Sequence, residues 1–349
     1  MLEFFNKKQS TPVKTEAEKR IKDFQEIYKA YSPDESVDQA SRCSQCGIPY
    51  CQIHCPLNNN IPDWLKYIAE DRLEEAYEVS SSTNAFPEVC GRVCPQDRLC
   101  EGNCVVEKAG FGSITIGSLE KHITETAWEK GWIKPITSDQ KQNQKIAIIG
   151  SGPAGLAAAT YLIEYGYEVE VFEKNDRIGG LMIYGIPNFK LDKSVVLRRS
   201  DWLKESGVIF HTNCEIGKDI KFEFLEKKFD AILISTGVYK ARSLDFNTDK
   251  VNNSIPALEY LIESNKIGLG DKPSPNNHLN AKNKKVLVIG GGDTAMDCVR
   301  TAVRQEASEV ICLYRRNKES MPGSAREVAN AEQEGVKFKW LSVPSKIVQ

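Results

Sequence analysis

Hydrophobic and polar positions change rhythm near residue 145. Upstream, apolar residues fall at helical spacing. The stretch after Pro62 puts Trp64, Leu65, Ile68, Leu73 and Ala76 on one face of an amphipathic helix, with proline where a first turn tolerates it. Ser118–Lys130 predicts a second helix, and the charged stretch around Glu16–Tyr31 a third. Ser32, Pro33 and Asp34 read as a turn and helix start. Strand signals before Lys145 are few, so residues 1–144 predict a mostly helical domain.

The polar run Thr137–Asn143 reads as a linker. Beyond it, short apolar runs alternate with Ala- and Leu-rich helical stretches. Lys145–Ile149 predicts a strand, Pro153–Tyr165 a helix, Glu168–Phe172 a strand and Asp230–Ser235 a further, buried strand. A second polar connection, Lys272–Lys285, precedes strand Val286–Ile289, helix Thr294–Gln305 and strand Glu309–Tyr314. This alternation predicts an α/β chain with parallel, doubly wound sheets. The expected domains are 1–144, 145–280 and 281–349.

Length and composition add limits. A chain of 349 residues holds two or three cores. A net charge of −2, with Lys and Arg scattered, gives no nucleic-acid footprint. The first residues lack a signal-peptide core, and no apolar run reaches the roughly 18–20 residues of a membrane span. The expectation is a cytoplasmic protein with neither nucleic acid nor membrane as partner.

Two turns carry nucleotide chemistry. Gly150-Ser151-Gly152-Pro153-Ala154-Gly155 follows a strand and opens a helix. Its glycines allow a tight turn, a close approach to a pyrophosphate and close helix packing, and the helix N-terminus favours the anion. Glu173 ends the next strand, 18 residues past Gly155, where a carboxylate accepts hydrogen bonds from a ribose 2′-hydroxyl. That combination predicts an unphosphorylated adenosine ribose, as in FAD. Gly290-Gly291-Gly292-Asp293-Thr294-Ala295 repeats the context, but its second strand ends in Arg315 and Arg316. Guanidinium groups bind a 2′-phosphate, so this loop predicts NADPH. Gly179-Gly180 suits a close approach to the FAD pyrophosphate. Ser235, Thr236 and Gly237 suit a backbone crossing near the flavin–nicotinamide junction.

Eight of the eleven cysteines lie between Cys43 and Cys104. In a reducing compartment such clusters bind metal more often than they form disulfides. One group is Cys43, Cys46, Cys51 and Cys55 before Pro56. The other is Cys90, Cys94 before Pro95, Cys100 and Cys104. Two Cys-Pro steps and uneven spacing suit two [4Fe-4S] clusters, with zinc as the structural alternative. His54 reads as a packing or surface residue. Cys214, Cys298 and Cys312 read as ordinary buried thiols.

The runs RIKDFQEIY, CSQCGIPYCQIHCP, GRVCPQDRLCEGNC, IGSGPAGLAAA, IGGLMIYGIPNFKLDK, VIGGGDTAMDCVRTAVRQ and YRRNKESMPGSAREV resemble the small subunit of bacterial NADPH-dependent glutamate synthases, across essentially the whole chain. The resemblance implies an N-terminal helical iron–sulfur domain followed by two Rossmann-like domains, for FAD and then NADPH. It implies one cluster on Cys43, Cys46, Cys51 and Cys104. The other would take Cys55, Cys94, Cys100 and one more ligand. Counting thiols nominates Cys90 for that place. Relatives use a carboxylate or amide from the helix that here carries Glu120, which is preferred. The resemblance also adds Leu181 and Lys190 to the FAD set. The family carries a late Gly-Asp motif that touches the flavin, and this sequence stops at Gln349 before it. The expectation is a fragment, or a chain completed by another polypeptide, with weakened flavin retention.

The implied reaction is hydride transfer from NADPH to FAD, with single electrons leaving through the clusters. The implied partner is a large subunit, containing FMN and iron–sulfur, that makes glutamate from glutamine and 2-oxoglutarate. No side-chain acid or base is named for that hydride step. The alternatives are the flavin subunit of a ferredoxin:NADP oxidoreductase and a catalytically silent electron-wiring or assembly fragment. A zinc-based interaction module is a further option.

Overall fold

In the computed structural model, which describes residues 1–240, 253–275 and 279–346, no β-strand precedes Lys145 among those residues. Parts of the Lys272–Lys285 connection and of the 281–349 segment therefore lie outside the described residues.

The helix expected after Pro62 is two helices, Ile61–Ala69 and Leu73–Ser81. The chain reverses between them at Asp71, whose φ is 58°. Both bury their apolar residues in the same core, so the sequence periodicity survives the break: Trp64, Leu65, Ile68 and Ala76 are buried, and Leu73 packs against them. Trp64 Nε1 donates to Asn59 Oδ1 at 2.8 Å, and Asn59 Nδ2 donates to the Ser80 carbonyl at 3.0 Å, which ties the pair together. The helix expected at Ser118–Lys130 runs Ile116–Glu129.

The Glu16–Tyr31 helix is a correction. Only Ala17–Arg20 is helical, and the rest is a strap with a bridge between Lys14 and Tyr28. The strap's anchors point to separate elements, which a single helix face could not satisfy. Arg20 reaches Glu334 across the molecule, whereas the Tyr31 hydroxyl donates to the Ser10 carbonyl at 2.6 Å.

Past the linker, β1 (Lys145–Ile149), β2 (Glu168–Phe172), β3 (Ile209–His211) and β4 (Ala231–Ile234) form a parallel sheet in the order β3-β2-β1-β4. Helices Pro153–Glu164 and Lys193–Glu205 cover it, and Ile148, Leu156, Val171, Ile183, Leu191 and Leu203 fill the core. A second parallel sheet holds β5 (Lys285–Ile289), β6 (Glu309–Leu313) and β7 (Lys337–Lys339) in sequential order. Helices Asp293–Arg304 and Ala325–Gln333 pack with it. Only the first sheet reverses its strand order among the described residues.

The expected buried strand at Asp230–Ser235 is also corrected. β4 is an edge strand, and Ile234 is 64% exposed. Its apolar run has no neighbour on the outer side among the described residues. The three parts are joined by buried charge. Arg199 donates to Glu88 through Nε at 2.7 Å and Nη2 at 2.8 Å, linking the first sheet unit to the helical part. Among the described residues no helix is long and apolar enough to cross a membrane.

Candidate nucleotide and iron–sulfur sites

The strand order reverses between β1 and β4, and ligands of doubly wound sheets bind in the crevice outside the carboxyl ends there. The Gly150–Gly155 turn occupies that place. Gly150 has a φ of 105°. A Cβ on Gly155 would meet the Gly150 carbonyl oxygen at 2.1 Å, so glycine alone lets the helix start this close to β1. A Cβ on Gly152 would meet nothing within 4 Å, and Pro153 and Ala154 beside it are exposed. That space lies at the helix N-terminus, where free N–H groups favour an anion. Gly180 closes over the turn, because a Cβ there would meet Gly152 Cα at 2.7 Å. Leu181 follows it and begins a short helix. Thr236 and Gly237 are exposed just past β4, with the Ser235–Thr236 backbone against Gly150.

Glu173 is buried at the end of β2. Its Oε2 accepts from Ser151 N at 3.0 Å and Ser151 Oγ at 2.6 Å, and its Oε1 from Asn175 N at 2.8 Å and Nδ2 at 2.7 Å. The carboxylate therefore braces the glycine turn in this conformation. A ribose hydroxyl would have to take over one of these bonds. Ser151 and Asn175 are residues that sequence reasoning missed; the signal was the serine inside the turn.

Lys190, expected beside the FAD pyrophosphate, is engaged by protein carboxylates in this conformation. Its Nζ donates to Asp297 at 2.9 Å and lies 4.0 Å from Glu327, both in the second sheet unit. Charge pairing across a buried junction holds it there.

The second turn repeats the first. Gly292 caps the helix Asp293–Arg304, and a Cβ on it would again meet nothing within 4 Å. Asp293 and Thr294 stand at the helix start, and Ala295 is buried behind them. Arg315 and Arg316 are exposed just beyond β6, and their guanidinium groups have no protein partner among the described residues. Strand β2 is thus followed by a buried acid, and β6 by two exposed arginines.

Cys43, Cys46, Cys51 and Cys104 line one pocket, closed by apolar neighbours such as Leu65, Ile114 and Ile116. Burial first, then charge on Cys43 and Cys104, pushes the Cys51 thiol up to about 12. Burial also raises Cys43, against hydrogen bonds from Gln45. Thiols so placed lose their protons together only around a cation, which iron would supply. Gln45 N and Nε2 donate to Cys43 Sγ at 3.5 Å and 3.4 Å, contacts the spacing did not announce. Among the described residues no three His, Cys, Asp or Glu side chains converge to hold a single ion.

A second neighbourhood joins Cys55, Cys90, Cys94, Cys100 and Glu120. Burial, then Glu101 and Glu120, with Cys55 further down, raises Cys100. The hydrogen bond with Cys94, then burial, raises Cys90. Burial and then Cys90 raise the Glu120 carboxyl. Asn84 stands between the two candidates: its Nδ2 donates to Glu120 Oε1 at 3.0 Å, and Cys90 Sγ lies 3.7 Å from its Oδ1. Both Cys90 and Glu120 thus belong to this neighbourhood. His54 is exposed, stacked on Tyr50. Cys298 and Cys312 are buried as expected, whereas Cys214 is half-buried.

Residues 20–132 match the family described as dihydropyrimidine dehydrogenase domain II, 4Fe-4S cluster. Residues 144–349 match pyridine nucleotide-disulphide oxidoreductase. The class is a pyridine-nucleotide oxidoreductase preceded by an iron–sulfur domain. The glutamate synthase [NADPH] small chain of Azospirillum brasilense is 56% identical over 99% of this chain and 72% of its own length. Those of Halomonas elongata and Escherichia coli K12 are 45% and 44% identical, over 99% and 98% of this chain and 73% and 72% of their own lengths. The chain belongs to the glutamate synthase [NADPH] small chain family and is an NADPH-dependent oxidoreductase.

Proposed function

We propose that this chain takes electrons from NADPH and passes them singly, through FAD and two [4Fe-4S] clusters, to a large subunit that forms glutamate from glutamine and 2-oxoglutarate. One observation carries the reading. Two strand–turn–helix units in one chain present opposite chemistry after their second strands: buried Glu173, and exposed Arg315 with Arg316. An acid there repels a 2′-phosphate and a guanidinium binds it, so the first unit is assigned FAD and the second NADPH.

Bound FAD would supply the conversion between a two-electron donor and single electrons. The chain's own residues bind and orient. The space at Gly152 and at Gly292 admits a pyrophosphate to a helix N-terminus. Cys43, Cys46, Cys51 and Cys104 are assigned one cluster, and Cys55, Cys94, Cys100 and Glu120 the other. Hydrogen bonds to a ligating sulfur help set a cluster's potential, and Gln45 is placed to do so.

The test is anaerobic purification of the chain with measurement of iron, sulfide and FAD, followed by dye reduction driven by NADPH or NADH. Iron with matching sulfide, bound FAD and a preference for NADPH support the reading. A chain that takes up zinc and no iron after oxygen-free reconstitution overturns it.

A further inference from the structure

The Cys94–Cys100 loop does more than present thiols. Two residues inside it, Asp97 and Arg98, reach across to the second sheet unit. Arg98 Nη2 donates to the Met321 and Gly323 carbonyls at 2.7 Å and 2.8 Å. Asp97 Oδ1 accepts from Ser324 Oγ at 3.2 Å, and its Oδ2 accepts from Ala325 N at 3.0 Å. The turn they hold lies directly on the second glycine loop. Gly323 N donates to the Gly291 carbonyl at 2.8 Å, and Ser324 N donates to Asp293 Oδ1 at 3.0 Å. The turn is therefore gripped on one side by the cysteine loop and on the other by the residues that open the helix Asp293–Arg304. No metal or nucleotide is needed to see this path, because every link is a hydrogen bond between protein groups.

We propose that Asp97 and Arg98 are positioning residues for the nicotinamide nucleotide. They hold the Met321–Ser324 turn against the Gly291–Asp293 backbone, so that nucleotide binding there is felt at the loop carrying Cys94 and Cys100. This rests on the reading of the two loops as an NADPH site and a cluster site. One guanidinium nitrogen fixes two carbonyls, and one carboxylate fixes a hydroxyl and a helix-opening amide. Removing either set frees the turn and with it the outer wall of the glycine loop. Both residues act through the turn.

The experiment uses the full chain with its clusters. NADP+ is titrated calorimetrically into wild type, Arg98→Ala, Arg98→Lys and Asp97→Asn. The dithionite-reduced proteins are then compared by electron paramagnetic resonance with and without NADP+. Loss of the paired charge-assisted bonds in Arg98→Ala should weaken NADP+ binding about tenfold. Arg98→Lys, whose ammonium can donate to both carbonyls, should restore most of it. NADP+ should alter the cluster spectrum in wild type and leave it unaltered in Arg98→Ala. Wild-type affinity in Arg98→Ala overturns the inference. Should that variant not fold, the near-isosteric Asp97→Asn decides, and unchanged affinity with an unchanged spectral response there overturns it. A wild type that does not bind NADP+ overturns the functional reading, and this inference with it.

Discussion

Glu334 is the acceptor on which three buried guanidiniums converge. Arg20 Nε donates at 2.7 Å, Arg300 through Nε and Nη2 at 2.9 Å each, and Arg304 through Nη1 and Nη2 at 2.7 Å and 3.2 Å. The Glu334 side chain is fully buried. Burial would raise its pKa, but the bonds and charges of Arg300 and Arg304 overcome that and hold the carboxyl at about 2, against 4.5 when free. That difference corresponds to about 3 kcal/mol of folding free energy. The folded value lies below the unfolded one. The contribution is therefore complete above pH 4.5 and is lost as pH falls towards 2. Glu334→Gln removes the charge and leaves three guanidiniums facing a neutral amide. The expected loss at neutral pH is about 3 kcal/mol. The assay is urea unfolding of the full chain followed by tryptophan fluorescence, since Trp340 packs in the same unit. The gap between wild type and variant should shrink by more than half by about pH 3. A gap below about 1 kcal/mol at neutral pH, or one that does not narrow on acidification, would refute the reasoning.

Four further outcomes follow from the geometry. Arg315→Ala with Arg316→Ala should lower the NADPH-over-NADH ratio of kcat/KM at least about tenfold and leave the thermal midpoint unchanged, because neither guanidinium has a protein partner among the described residues. Gly155→Ala should destabilise the chain by about 1–3 kcal/mol through overlap with the Gly150 carbonyl. Gly152→Ala should melt normally yet bind less FAD, a contrast that flavin stoichiometry and a melting curve read together. Glu120→Ala should lower iron per chain towards a single cluster's content and Cys90→Ala should not, as measured by iron and sulfide analysis; the reverse pattern would make Cys90 the ligand.

Much of the site was legible before any coordinates. Strand–glycine turn–helix is a local pattern, and β1, β2, β5 and β6 start and end within a residue of the reading. The division of cysteines was also legible in part, since two Cys-Pro steps mark two loops. The miss at Glu16–Tyr31 has a definite cause. That strap takes its shape in part from Glu334 and Thr115, which lie far along the chain from the residues they bind. The pairing of Lys190 with Asp297 was hidden for a related reason. A lysine near a nucleotide turn suggests a phosphate, but Asp297 approaches it from another unit and takes the charge. Strands β3 and β7, three residues each, carry too short a pattern to register.

Local order in the chain was enough for most elements and for the order of the units. These depend on glycine spacing, helix starts and the residue type after a strand, all within a few dozen positions. What the folded molecule alone could set was which distant groups meet. Asp97 and Arg98 meet a turn more than two hundred residues away, and Arg20 meets Glu334. Burial then gives those meetings their strength, because charges and thiols removed from water are governed by the partners that surround them.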